Sequence, residues 1–310
     1  MSIWYDSRFR RLLLQGVIII LLVVILAFFG RNLILNFQRL GLVFGFGFLF
    51  DPDRPAGFAI SDSPISYSPG DGYGRAVLVG LVNTLRVAIL GTFGALFLGI
   101  VIGLARISNN WLVKQLSGLY VEVFRNTPLL LQLFFWYFAV FLQLPRIDNP
   151  FKIGNLIFLA NSGIYLQLNS GAPFTSGLHL TSEFATLLLG LITYTAAFIG
   201  ETVRGGIESI ARGQWEAAKA LGLKPNLVMA LIIFPQALRV MIPPLTNDCL
   251  NLVKNSSLAI AIGYSDIYAV SSTIANQTGN AVEMLVVVMC TYLFLNLLIS
   301  AAMNWLNSRI

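Results

Sequence analysis

The sequence predicts an all-α polytopic membrane bundle of about six spans, and three observations carry that expectation. Of 310 residues, 56% are hydrophobic and only 11% are charged, against about a quarter charged in soluble domains. The apolar residues fall in blocks of 18 or more, long enough to cross a hydrocarbon core of about 30 Å as helices. The intervening segments are either rich in Pro, Gly, Ser and Asp or carry basic residues, as connections between spans do.

The first block runs from Leu12 to Phe29 behind Arg8, Arg10 and Arg11. It exceeds the 7–15 residues of a signal-peptide core and lacks a small-x-small cleavage site, so a retained helix is expected. Five further spans follow at about Val77–Ala105, Leu116–Phe141, Glu183–Gly205, Leu227–Leu245 and Val282–Trp305. This divides the chain into residues 1–76, with an N-terminal tail, one helix and an outer loop, and a transmembrane domain at 77–310. That domain carries an insertion at about 142–181 and a short basic loop at about 206–226. The apolar patches Leu40–Phe50 and Ile153–Leu168 are too short or interrupted to span, and interfacial or re-entrant segments are expected there.

Lys and Arg concentrate in loops that stay inside. With the N-terminus inside, ten basic residues fall on that side and six on the other, where the loops are longer. Both termini are then expected in the cytoplasm. The net charge of +6 is explained by this arrangement, without nucleic acid. Cys249 and Cys290 lie in apolar surroundings and offer neither a disulfide framework nor a metal site, and the single histidine, His179, makes none.

The most informative stretch is Gly213-Gln214-Trp215-Glu216-Ala217-Ala218-Lys219-Ala220-Leu221-Gly222, followed by Ile232 and Phe234-Pro235. Trp215 to Leu221 are good helix formers, Gly222 is placed to cap the C-terminus, and Pro225 prevents continuation. A short rigid knob results. Its small Ala217 and Ala218 would suit a partner's cleft, with Glu216 and Lys219 at the rim.

The spacing Glu-Ala-Ala, three residues, Gly, nine residues, Ile, one residue, Phe-Pro resembles the cytoplasmic coupling signature of bacterial ABC import permeases, with Phe234 in place of Leu. The flanks Tyr194–Glu201, Arg204–Ile207, Ile242–Asn247, Leu252–Leu258 and Glu122–Leu130 are similar to the polar amino acid branch. The resemblance covers about Gly80 to Trp305 apart from the insertion, and the extra segments look like those of enlarged permeases for neutral and acidic amino acids. It implies a type I importer fold in the bacterial inner membrane, passing amino acids. It implies two cytoplasmic ATPases docked through Gly213, Gln214, Glu216, Ala217, Ala218, Gly222 and Pro235. It also implies a second permease, identical or homologous, and a periplasmic or tethered amino-acid-binding protein.

No phosphate-binding loop is present, so ATP is expected on the separate ATPase and no cofactor on this chain. No nucleophile and base constellation is found, and an enzyme is not expected. Ionisable groups inside spans are expensive and therefore functional candidates. Glu201 is expected to serve a substrate ammonium. Arg125, Asn126 and Thr127, or Asn255, Ser256 and Ser257, would serve a carboxylate, with Tyr194 and Thr195 beside them on the path. The competing structural account makes Glu122–Arg125 and Glu201–Arg204 local ion pairs. A permease for another solute, or a secondary transporter or channel without ATP, remains open.

Overall fold

The computed structural model describes residues 7–41, 44–154, 156–167 and 177–309. Parts of the apolar patches and of the 142–181 insertion, and the side chain of Arg8, lie outside the described residues. The chain divides into two units, residues 1–48 and 49–310.

The first unit is helix α1 (Ser7–Leu40) and the turn after it, with Leu13–Arg39 apolar enough to cross a membrane. The second begins with the connection 51–72 and helix α2 (Tyr73–Arg106). Helices α3 (Trp111–Asn126) and α4 (Leu129–Phe134) follow, α4 continuing through a π turn and a 3-10 turn to Gln143. Four strands, β1 (Phe151–Ile153), β2 (Ile157–Ala160), β3 (Gly163–Gln167) and β4 (Gly177–Thr181), precede α5 (Ser182–Glu208). Then come α6 (Arg212–Ala220), α7 (Pro225–Val228), α8 (Phe234–Asn255), α9 (Ile267–Thr278) and α10 (Ala281–Arg309).

Among the described residues, five helical runs are long and apolar enough to cross a membrane: within α1, α2, α5, Pro225–Ile262 and α10. The expected sixth span, Leu116–Phe141, is two helices broken at Thr127–Pro128, because proline disfavours helical backbone in the residue before it. Gln132 secures the break by donating to the carbonyls of Phe124 and Thr127, at 2.9 and 3.0 Å. The span expected to end at Leu245 instead continues to Ile262, running straight through Pro243 and Pro244. Its irregularities are a π turn at Met229–Ile233 and a 3-10 stretch at Ser256–Ile262.

The patch Ile153–Leu168 was expected to be interfacial or re-entrant. Its described residues, through Gln167, are strands and turns of an antiparallel meander in the order β1-β2-β3-β4. Its β-branched and aromatic residues alternate across a sheet and do not line a helix.

Small residues set the central contact. Gly94, Gly99 and Gly103 of α2 lie against Ile192, Ile199 and Val203 of α5, the close approach that glycine permits between membrane helices. Caps define the other ends. Asn110 accepts from the amides of Leu112 and Val113, Thr181 from Phe184, and Asp266 from Ala269, satisfying N-terminal donors that otherwise lack partners.

Arg86 is a cation ten or more residues inside α2, and the connection 51–72 brings it a counterion. Asp62 pairs with Arg86 at 2.9 Å and accepts from Thr181 Oγ1 at 3.1 Å. Asn83 Nδ2 donates to the carbonyls of Asp62 and Ser265, at 2.7 and 2.9 Å. The Arg86 guanidinium lies 4.5 Å from the centre of the Phe184 ring. Loop, α2, α5 and the start of α9 are thereby tied together at the sheet end of the bundle. Asp62→Ala, which leaves that guanidinium without its acid, is expected to cost roughly 1–3 kcal/mol. The thermal midpoint of the solubilised protein should fall, and Asp62→Leu combined with Arg86→Met should recover part of it.

Candidate functional site

Two places bring sequence-selected residues together. At the end of the bundle opposite the sheet, the short helix α6 projects between α5 and α7. Its C-terminus is closed by Gly222 at φ +74°, with the amides of Gly222 and Leu223 donating to the carbonyls of Lys219 and Ala218 at 2.9 and 3.3 Å. A Cβ on Gly222 would meet nothing; what selects glycine is the left-handed backbone. Trp215 packs against the helical core, and Gln236 Nε2 reaches Gln214 Oε1 at 3.4 Å.

The outer surface of this knob is Gly213, Gln214, Glu216, Ala217 and Lys219, all exposed, with Leu221 78% exposed at its tip. Ala218 departs from the expected outward role. It is 1% exposed and belongs to the core beneath α6, because it lies three residues after Trp215, on the helix face that turns toward that core. Pro235 is exposed in the first turn of α8.

Beside α6, the expected Glu201–Arg204 pair forms, and Glu201 also receives Arg106 from α2. Arg204 reaches on to Glu208. Glu201 is thus held by two guanidinium groups, and the pair with Arg106 joins α2 to α5. Its local partner was legible at i+3, whereas Arg106, 95 residues away, was not. The Glu122–Arg125 pair is not among the ion pairs of the described residues. Arg125 instead lies 5.1 Å from the centre of the Phe198 ring.

That ring faces a cavity of about 270 Å³ lined by Tyr194, Thr195, Phe198, Asp248, Asn251 and Asn255. Of the path candidates, Tyr194, Thr195 and Asn255 line it, and Arg125 is at its edge through Phe198. Ser256 is buried and donates to the carbonyl of Val253, and Ser257 donates to Lys254, both at 2.8 Å. Both hydroxyls satisfy backbone where α8 tightens. Thr127 lines a separate, mostly apolar cavity of about 280 Å³ with Gln132 and Trp136. Asn126 is exposed at the α3–α4 break.

Asp248 was missed by sequence reasoning, although a carboxylate within an apolar span was the signal that should have found it. Thr202 Oγ1 donates to its Oδ2 at 3.3 Å, and Asp248 lines the cavity. Asp248, Asn251 and Asn255 recur at three- and four-residue intervals, so one face of α8 supplies all three. The arrangement offers one carboxylate, two amides and a phenol within a single polar opening in an apolar bundle.

Residues 95–310 match the family described as "binding-protein-dependent transport system inner membrane component". The chain belongs to this family. It is therefore a multi-pass inner-membrane permease component and carries the type I importer fold. Among similar proteins, the general L-amino acid transport system permease protein AapQ of Rhizobium johnstonii is 38% identical, over 99% of this chain and 94% of that protein. The putative amino-acid ABC transporter permease protein YhdX of Escherichia coli K12 is 39% identical over 97% and 94%. The glutamate/glutamine/aspartate/asparagine permease protein BztB of Rhodobacter capsulatus is 33% identical over 99% and 95%.

Solved structures share the permease fold. A crystal structure of an amino acid ABC transporter with histidines aligns with a TM-score of 0.59 at 24% identity, covering 77% of this chain and 95% of that one. An inward-facing MetNI methionine ABC transporter aligns at 0.57 and 17%, covering 76% and 96%.

Proposed function

We propose that this permease passes amino acids through the cavity at Asp248, driven by a separate ATPase seated on α6. The observation that carries the cargo is the composition of the cavity. An amino acid brings an ammonium and a carboxylate at once, and leaving water is costly unless both find partners. Asp248 is the acceptor for the ammonium, and Asn251, Asn255 and the Tyr194 hydroxyl are donors for the carboxylate, with Arg125 adding positive charge at the edge. The names of the similar proteins point to the same cargo.

The exposed surface of α6 supports the motor. Leu221 presents an apolar tip, Ala217 keeps its flank low, and Glu216 and Lys219 frame it, a shape suited to a cleft in a partner protein. ATP binds to that partner and no cofactor to this chain. Movement of α6 passes to α5 through the core under Trp215 and Ala218, and to α2 through Glu201 and Arg106. A second permease, identical or homologous, completes the path, and a solute-binding protein delivers the cargo at the sheet end. Both chain termini are then cytoplasmic.

Reconstitution of the assembled transporter in liposomes tests the proposal. Uptake of a zwitterionic amino acid should require ATP inside and the binding protein outside. Glu216→Lys should lower uptake at least tenfold while leaving membrane insertion unchanged. Gly222→Val, forced into left-handed backbone at about 1–2 kcal/mol, should do the same, whereas Gly222→Asn should retain most transport. Uptake that survives ATP depletion and collapses with the ion gradient would replace this proposal with secondary transport.

A further inference from the structure

The register of the four-stranded sheet sorts its side chains into two unlike faces. Phe151 pairs with Leu159, Leu159 with Ile164, and Ile164 with Leu180. Two residues along, Ile153 pairs with Ile157, Ile157 with Leu166, and Leu166 with Leu178. Paired residues share a face and so do residues two apart along a strand, so these eight form one continuous apolar surface. None of the eight is buried, and Phe151, Ile153 and Leu178 are at least half exposed.

The other face is different in kind. Lys152 lies over the Phe158 ring, and the rings of Tyr165 and His179 stack at 4.2 Å, as their pairing in the register places them side by side. Phe158 and Ala160 are buried on that side, while Lys152 and His179 are exposed. The sheet's buried side chains and its charge are therefore on the face opposite the apolar one, and Leu180, at the corner with α5, is an apolar-face residue that packs against the helical core.

We infer that the apolar face rests on the lipid surface at this end of the bundle, as an interfacial platform. Three observations select lipid over a protein partner. First, continuity holds it at the membrane boundary. β4 ends at Thr181, which is also the cap of the membrane-crossing α5, so Leu178 is about 10 Å along the chain from Thr181 at ~3.3 Å per residue. Leu180, at that corner, packs against the helical core. Second, the chain enters the sheet from a segment whose own outward face is apolar, with Phe135, Phe138 and Leu142 each at least 40% exposed. Third, a binding protein that docks and leaves uses surfaces about as polar as the rest of a protein, and this face has no polar side chain in eight. Open sheet edges are excluded from hydrocarbon, so the sheet lies flat at headgroup depth with its apolar side inward and Lys152 and His179 toward water.

The inference depends on membrane residence and not on the cargo. Single cysteines at Ile153, Leu178 and His179, introduced into the assembled transporter after Cys249→Ala and Cys290→Ala, are labelled with a nitroxide in nanodiscs of phosphatidylethanolamine and phosphatidylglycerol. Accessibility to oxygen, which concentrates in lipid, is compared with accessibility to a water-soluble nickel chelate. Positions 153 and 178 should favour oxygen at least threefold over position 179, with or without the binding protein. Equal nickel accessibility at all three positions would overturn the inference. Loss of accessibility at 153 and 178 only when the binding protein is added, or cysteine cross-links there between two permeases, would overturn it in favour of a protein partner.

Discussion

Asp248→Asn is expected to lower amino acid uptake by the reconstituted transporter about ten- to a hundredfold, with normal assembly and ATPase docking. A hydrogen bond to a charged group contributes about 1.5–3 kcal/mol, and about 1.4 kcal/mol is a factor of ten. The amide has the same shape as the carboxylate and still accepts from Thr202, so the bundle is undisturbed. What it loses is the negative charge, in a cavity whose other polar residues are Tyr194, Thr195, Asn251 and Asn255. A cargo analogue without its amino group should be less affected by the change than the parent amino acid. Uptake at the original rate, with the same cargo preference, would remove this cavity from the path.

Gly103→Leu is expected to prevent a stable bundle altogether. A Cβ at this position would lie 2.8 Å from the carbonyl oxygen of Gly200 and 2.6 Å from Cβ of Val203. Neither is the free end of a flexible side chain, so α2 and α5 must separate. Overpacking a filled interior costs roughly 1–3 kcal/mol when side chains alone adjust, and here backbone must move along the contact that organises both helices. Gly103→Ala should already lower the thermal midpoint of the solubilised protein and the yield of assembled complex. Gly118, on α3, has open space around it, and Gly118→Ala should be neutral or slightly stabilising, as alanine favours helix by up to about 1 kcal/mol. An unchanged midpoint for Gly103→Leu would show that the two helices do not pack through this glycine seam.

The residues that sequence reasoning placed well share a local cause. The knob at α6 is specified by helix formers, Gly222 and Pro225 within one short stretch, and its observed C-terminal cap needs no distant partner. The pair Glu201–Arg204 is three residues apart and faces one side of a single helix. Where the same reasoning failed, the deciding contact came from elsewhere. Ala218 belongs with Ala217 in the motif but turns inward, on the face of α6 that Trp215 packs against the core.

Membrane residence, most of the spans, the family and the short helical knob at α6 were determined by the sequence alone, because each depends on apolar length or on short-range spacing. The tertiary structure alone decided which polar groups meet. It matched Asp62 with Arg86 across 24 residues and Arg106 with Glu201 across 95. It turned the interrupted patch after Phe151 into a sheet with one wholly apolar face, and it gathered Tyr194, Asp248 and Asn255 around one cavity. Hydrocarbon explains the division: it enforces helices segment by segment, but a charge within it must be neutralised by whatever residue folding brings near, at any separation along the chain.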